Sequence, residues 1–173
     1  KMLVFSDADL VTINASYAEI ISKLPNVDSK VTNLVANSVW HASAFPVEAA
    51  YLGDLKNSFS AQVFSKDFGS TATVNEINKW ASDNTNGKIK TIIEKIEPHQ
   101  VLFLLNALYF KGDWTTPFDK EATYKGTFNG ETKVSDQDFM YNLGEYAYAD
   151  NADFQMVELP YGNEKYAFVA LLP

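Results

Sequence analysis

The stretch Val101–Trp114, VLFLLNALYFKGDW, constrains the fold more than any other part of the chain. It opens with five apolar residues, is interrupted by Asn106, and continues with four more before Lys111-Gly112-Asp113 turns it polar. Read as a strand, one face carries Val101, Phe103, Leu105, Ala107 and Tyr109, and the other Leu102, Leu104, Asn106, Leu108 and Phe110. Side chains alternate across a strand, so two apolar faces predict cover on both sides, the position of a central strand. A buried helix also satisfies the apolar run, but the aromatic content and the Gly-Asp exit favour a strand. Trp114 sits at that exit with one indole N–H to satisfy. Asn106 places an amide among apolar neighbours, where it finds partners or costs about 1–3 kcal/mol. The plain reading is a satisfied core amide that fixes strand register.

The rest of the chain alternates helical and extended patterns. Leu10, Ile13, Tyr17, Ile20, Ile21 and Leu24 fall at helical spacing, with Asp7 or Asp9 as cap and Pro25 as the end. Val31–Ser43 reads as a strand. Phe45-Pro46-Val47-Glu48 starts a helix with Pro in its first turn and an apolar stripe of Ala49, Leu52 and Leu55. Ala61–Phe68 reads as a short peripheral strand. Thr73-Val74-Asn75-Glu76 has the form of a capping box, opening a helix that buries Val74, Ile77 and Trp80 or Ala81. Asn86-Gly87 stops that helix, because Gly tolerates the left-handed conformation. Further strands are predicted at Phe154–Tyr161 and Tyr166–Pro173. The two are joined by Gly162-Asn163-Glu164-Lys165, whose Gly-Asn pair is a hairpin signal.

Composition narrows the function classes. With 173 residues, 46% of them apolar, the chain can bury a core. Its net charge of −8, from 22 acidic and 14 basic residues, argues against nucleic-acid phosphates or an anionic membrane as partner. No apolar run approaches the roughly 18 residues of a membrane span. There are no cysteines, hence no disulfide and no thiolate chemistry. His41 and His99 are the only histidines and belong to no catalytic or metal-binding motif. Asp136, Asp138, Asp150 and Asp153 match no cation-binding loop and read as a solvated acidic face. No catalytic residue, metal site or cofactor is therefore assigned. Asn14-Ala15-Ser16 is an N-glycosylation sequon, a frequent chance match. The chain starts at Lys1 and stops inside an apolar segment at Pro173, so a piece of a longer chain is expected.

Several motifs, in one order, resemble those of the serpins, the serine-protease-inhibitor family. Asn106–Trp114, NALYFKGDW, resembles the third strand of the serpin main sheet, and Val31–Ser43, with its Ala36–Ser38 ANS triplet, the second. Ile77–Ile89 is similar to the helix that crosses that sheet and to its exit, matching at Asn78, Trp80, Thr85, Gly87 and Ile89. Pro117-Phe118-Asp119 with Thr123–Phe128 resembles a strand of the second sheet, and VELPYG and VALLP the hairpin that begins the buried sheet. Phe139 and Asn142 depart from the usual Met and Gln of the family.

The resemblance implies an α+β serpin fold with mixed and antiparallel sheets and helices packed on the main sheet. It makes residues 1–173 a partial serpin domain, the middle half, without the leading helices or the reactive-centre loop. It places Asn106 in the shutter, the polar cluster where the main sheet opens, and Trp114 in the breach at its top. Asn78 and Trp80 fall on the sheet-covering helix. The implied activity is not that of an enzyme. It is inhibition of a serine-class, or cysteine-class, protease by a suicide mechanism in which the cleaved loop inserts into the main sheet. The implied partners are the target protease and the remaining half of the chain. The implied location is extracellular, secreted or periplasmic, and the acidic, cysteine-free composition fits a bacterial member. Two alternatives stand beside it: a non-inhibitory serpin acting as carrier or chaperone, and an unrelated hydrolase or binding domain with similar strand patterns. The basic face with which some serpins bind sulfated polysaccharides is missing from the first helix, which carries Glu19 and Lys23.

Overall fold

A computed structural model describes residues 9–173; the candidate cap Asp7 lies outside them. The chain divides into two compact units. One holds the described chain up to Val27 with Thr32–Phe110, the other Asp28–Val31 with Lys111–Pro173.

The first unit opens with α1, Leu10–Lys23, whose N-cap Asp9 accepts a hydrogen bond from Thr12 N at 2.7 Å. Pro25 ends it as expected, in a short 3-10 turn over Leu24–Asn26. β1 (Val31–Ala42), β2 (Gln62–Lys66) and β3 (Leu102–Gly112) form a sheet in the order β2-β1-β3. β2 runs parallel to β1, pairing Ser38 with Gln62 through Ala42 with Lys66, and is peripheral as its short pattern predicted. α2 (Ala49–Phe59) begins three residues after Pro46, with Glu48 at the N-cap. Pro46 therefore ends the preceding loop and does not occupy the first turn.

α3 (Thr71–Asn84) supplies the core. Its Ile77, Trp80 and Ala81 pack with Trp40 of β1 and Ala107 of β3, and Trp40 stacks on Phe64 of β2 with centroids 4.1 Å apart. Complete burial of such a side chain contributes about 1.5–3 kcal/mol each. Both indole N–H groups are satisfied, Trp40 donating to Ser38 Oγ at 2.9 Å and Trp80 to Gln62 Oε1 at 2.6 Å. The predicted capping box is displaced. Ser70 is the N-cap, accepting from Ala72 N, while Thr73 lies inside the first turn, buried, its hydroxyl donating to Asp67 O at 2.6 Å. A Ser one turn upstream competes equally well for free N–H groups, and burial of Thr73 decides between them. The helix stops where Asn86 (φ +50°) and Gly87 (φ +73°) turn left-handed, and Gly87 N donates to Ser82 O at 2.8 Å.

β3 corrects the expectation of a strand covered on both sides. It is outermost among the described strands. Ala107 and Tyr109 are buried, whereas Leu104 and Leu108 on the other face are 58% and 60% exposed. Apolar alternation reports that a face wants cover; it does not say which segment supplies it.

The second unit is all β. β4 (Asp119–Asn129) and β5 (Val134–Tyr141) form an antiparallel pair with an irregularity between Asp119 and Tyr124. Phe139, where the family usually has Met, lies on the Tyr124 ring at 5.6 Å, so the departure is a matter of packing. β7 (Gln155–Tyr161) lies between β6 (Tyr148–Asp150) and β8 (Tyr166–Leu172), antiparallel to both. The β7–β8 hairpin turns through Gly162 (φ +53°) and Glu164 (φ +66°) at the predicted position.

Asp28, which the sequence did not single out, anchors that turn. It is 3% exposed; Oδ1 accepts from Lys30 N (2.9 Å) and Asn163 Nδ2 (3.0 Å), and Oδ2 accepts from Asn163 N (2.7 Å). Burial pushes its carboxyl up, but the N–H donors of Lys30, Asn163 and Lys165 and the Asn163 amide outweigh it and hold it below the usual aspartate range. A Cβ on Gly162 would fall 2.8 Å from Asp28 Oδ2.

Gly162→Ala is expected to destabilise the chain by about 1–2 kcal/mol from the left-handed backbone alone, more with the clash at Asp28, read as a lower urea midpoint. The Asp28 interactions stabilise the fold above the ordinary aspartate pKa of about 3.9. That stability is lost as pH falls below about 4 through the lowered folded value, because the unfolded chain takes up the proton first. Urea midpoints measured across this acid range should show a pH slope that Asp28→Asn flattens.

Candidate functional site

Asn106 lies near the middle of β3, where its Nδ2 donates to Asn37 Oδ1 at 2.9 Å and reaches Ala36 O at 3.4 Å. Asn37 in turn donates to Phe59 O at 2.8 Å, so one relay of amides ties β3 to β1 and β1 to the end of α2. The amide is satisfied, as its place among apolar residues required, but it is exposed and not in the core. It opens on a cleft of about 180 Å³ lined by Asn37, Ser38, Leu55, Phe59 and Leu104. Asn37 is one of several polar residues along β1, and only the pairing gives it a role.

In the second unit Trp114 is half-buried and bridges to Tyr161. Its ring stacks on Tyr161 at 4.3 Å and 13°, with Phe118 and Phe168 edge-on at 5.8 and 6.2 Å. Aromatic pairs of this kind contribute about 0.5–1.5 kcal/mol beyond area burial. Main-chain bonds fix the same place: Thr115 N donates to Pro160 O (3.0 Å) and Gly162 N to Asp113 O (2.9 Å). An open cleft of about 480 Å³ beside Trp114 is lined by Phe118, Thr123 and Met140 with Asp113, Asp119 and Lys120. Asn142, which stands where the family usually has Gln, donates to Thr116 O at 2.8 Å.

Asn78 and Trp80 hold α3 to its surroundings in different ways. Trp80 is core. Asn78 closes a loop: its Oδ1 accepts from Ile92 N (2.8 Å) and Ile93 N (3.1 Å), and its Nδ2 donates to Ile93 O (2.8 Å). These bonds hold the irregular segment that follows α3, whose Ile93 and Ile96 pack on the core. Asn86 adds a link from the helix exit to β3, donating to Tyr109 OH at 3.2 Å.

His41 and His99 are not part of this arrangement. His41 Nδ1 lies 3.2 Å from Ala42 O, and His99 is in an exposed turn. No group of three or more His, Asp or Glu among the described residues is placed to hold a metal ion. Asp138 pairs with Lys125 at 3.1 Å, both largely in solvent. No helix among the described residues is long and apolar enough to cross a membrane.

Asn78→Ala leaves two N–H groups and a carbonyl without their partner. A loss of about 1–3 kcal/mol is expected, with hydrogen exchange at Ile92 and Ile93 faster by about tenfold, since 1.4 kcal/mol is tenfold in an equilibrium. Unchanged protection there would show that other contacts hold the segment.

The family model described as Serpin (serine protease inhibitor) matches residues 1–173. Iripin-2 of Ixodes ricinus is 34% identical, the match covering 99% of this chain and 45% of its own. The thermophilic serpin Tengpin in its native state superposes with a TM-score of 0.87 at 30% identity, over 96% of this chain and 43% of its own. Human thyroxine-binding globulin, solved as a complex, superposes with a TM-score of 0.86 over 99% of this chain and 46% of its own; at 22% identity that is a likeness of fold alone. The chain spans 33% to 46% of the length of the curated relatives it matches. Serpins are in general inhibitors of proteases and not enzymes. The sheet with α3 laid across it, the motifs in their order and the match over residues 1–173 lead to one conclusion: the chain belongs to the serpin family.

Proposed function

We propose that this chain is the middle part of a serpin that inhibits a protease, most directly one of the serine class, as a suicide substrate. The protease cleaves an exposed loop supplied by the rest of the protein and is held as an acyl-enzyme while that loop adds to the main sheet beside β3. The observation that carries this reading is the position of β3. It is outermost among the described strands of its sheet, so one side of its backbone offers donors and acceptors to a further strand. The half-open face at Leu104 and Leu108 fits the same picture, because the remaining half of the chain would cover it.

Each singled-out residue has a part in the proposal. Asn106, paired with Asn37, belongs to the shutter: the pair must hold β3 to β1 and let a neighbouring strand change. Trp114 on Tyr161 belongs to the breach, where insertion begins. α3, fixed by Trp80 and latched by Asn78, is the helix that yields as the sheet opens. Target proteases of this kind place the protein outside the cell or in the periplasm. The second reading is a non-inhibitory carrier, in which the same framework does not take up its loop; thyroxine-binding globulin shares that framework.

Incubating the full-length parent protein with serine and cysteine proteases, followed by denaturing gels, separates the two. An SDS-stable complex of inhibitor and protease is expected, with the serine class reacting. Clean cleavage of the loop, with no complex and no gain in thermal stability afterwards, would overturn the inhibitory reading in favour of the carrier.

A further inference from the structure

Two Asn-Gly pairs occur in the chain, Asn86-Gly87 and Asn129-Gly130. Glycine lacks a Cβ and lets its nitrogen approach a neighbouring side chain. In such pairs the glycine nitrogen can attack the asparagine Cγ. A new C–N bond closes a five-membered imide, the carboxamide C–N bond breaks, and ammonia leaves with the glycine proton. Water then adds to one imide carbonyl and opens the ring to aspartate or isoaspartate. The only co-reactant is water. The step requires a glycine nitrogen released from hydrogen bonding and an asparagine side chain free to swing over it.

The fold treats the two pairs differently. At the end of α3 the Asn86 amide donates to Tyr109 OH at 3.2 Å, and Gly87 N donates to Ser82 O at 2.8 Å. Just before them, Thr85 is 1% exposed and bonded on both sides, to Ala81 O at 2.7 Å and from Ile89 N at 3.0 Å. Freeing that pair requires opening the helix exit against the core. Asn129 is the last residue of β4, paired with Val134 at the tip of a two-stranded hairpin. Its side chain is exposed, and its carboxamide has no hydrogen-bond partner among the described residues. One main-chain bond, Gly130 N to Lys133 O at 3.1 Å, stands between it and reaction. The tip of a two-stranded hairpin opens at far lower cost than a helix end packed on a core.

We propose that Asn129 is a site of spontaneous deamidation and that the fold protects Asn86. The modification adds a carboxylate two residues from Glu131, and in its isoaspartate form lengthens the backbone inside the last rung of the β4–β5 ladder. Register at the hairpin tip is the structural property it alters. This inference is independent of the inhibitory reading.

The test is peptide mapping by mass spectrometry of the full-length protein, aged in mildly alkaline buffer, with a parallel sample in guanidinium chloride. In the folded sample Asn129 should convert on the order of tenfold faster than Asn86 or more, the ratio that about 1.4 kcal/mol of extra opening cost gives. In denaturant the two rates should approach each other. Equal rates in the folded protein, or conversion of Asn86 first, would overturn the proposal. A rate difference that persists unchanged in denaturant would also overturn it, by assigning the difference to local sequence and not to the fold.

Discussion

The packing of α3 on the β2-β1-β3 sheet is the constraint on which the first unit depends. Ile77, Trp80 and Ala81 present one stripe of the helix, and Trp40 and Ala107 receive it from two neighbouring strands. The small Ala107 matters as much as the large Trp40, because close packing needs a hollow opposite each bulky side chain. Both tryptophans also carry a polar atom into this core and satisfy it locally, through Ser38 and Gln62. A polar group left unpaired there would forfeit much of what the ring's burial contributes.

Amides tie many of the elements around this core. Asn37 links β1 to the end of α2, Asn106 links β3 to β1, Asn78 holds the segment after α3, and Asn86 reaches Tyr109 on β3. An amide both donates and accepts, so one side chain can bridge two main-chain groups without the desolvation cost of an ion. Of the ion pairs, Lys66–Glu76 joins β2 to α3 in a half-exposed position, while Lys79–Asp83 and Lys125–Asp138 lie largely in solvent, where each contributes little. Neutral hydrogen bonds like those of the amides strand no buried charge when one of them breaks.

The second unit rests on different physics. Its hairpins carry little core, and the β7–β8 turn is held by a buried carboxylate that supplies acceptors to several N–H donors at once. Gly162 is there for space as well as for its left-handed backbone, since Asp28 occupies the volume that a side chain would take. Trp114 closes the other side of the turn by stacking on Tyr161.

Much of this was legible in the sequence because it is local. Periodicity located α1, β1, β3 and the terminal hairpin; Pro25 and Asn86-Gly87 marked helix ends; and Asn106 was conspicuous as the one amide in an apolar strand. Two helix starts differ from the local signals. The capping box at Thr73 lost to Ser70 because burial of Thr73 against the Asp67 carbonyl is a tertiary fact. Pro46 belongs to the loop before α2, which starts only at Ala49. The chain by itself therefore determined the helices and most of the strands, β5 and β6 excepted, together with which faces are apolar and which family the order of motifs belongs to. Only the tertiary structure decided that Asn106 finds Asn37, that Asn78 latches Ile92 and Ile93, that Asp28 holds a turn some 135 residues away, and that one face of β3 stays open. Each of those depends on partners distant in sequence, and periodicity states that a group needs a partner without naming it.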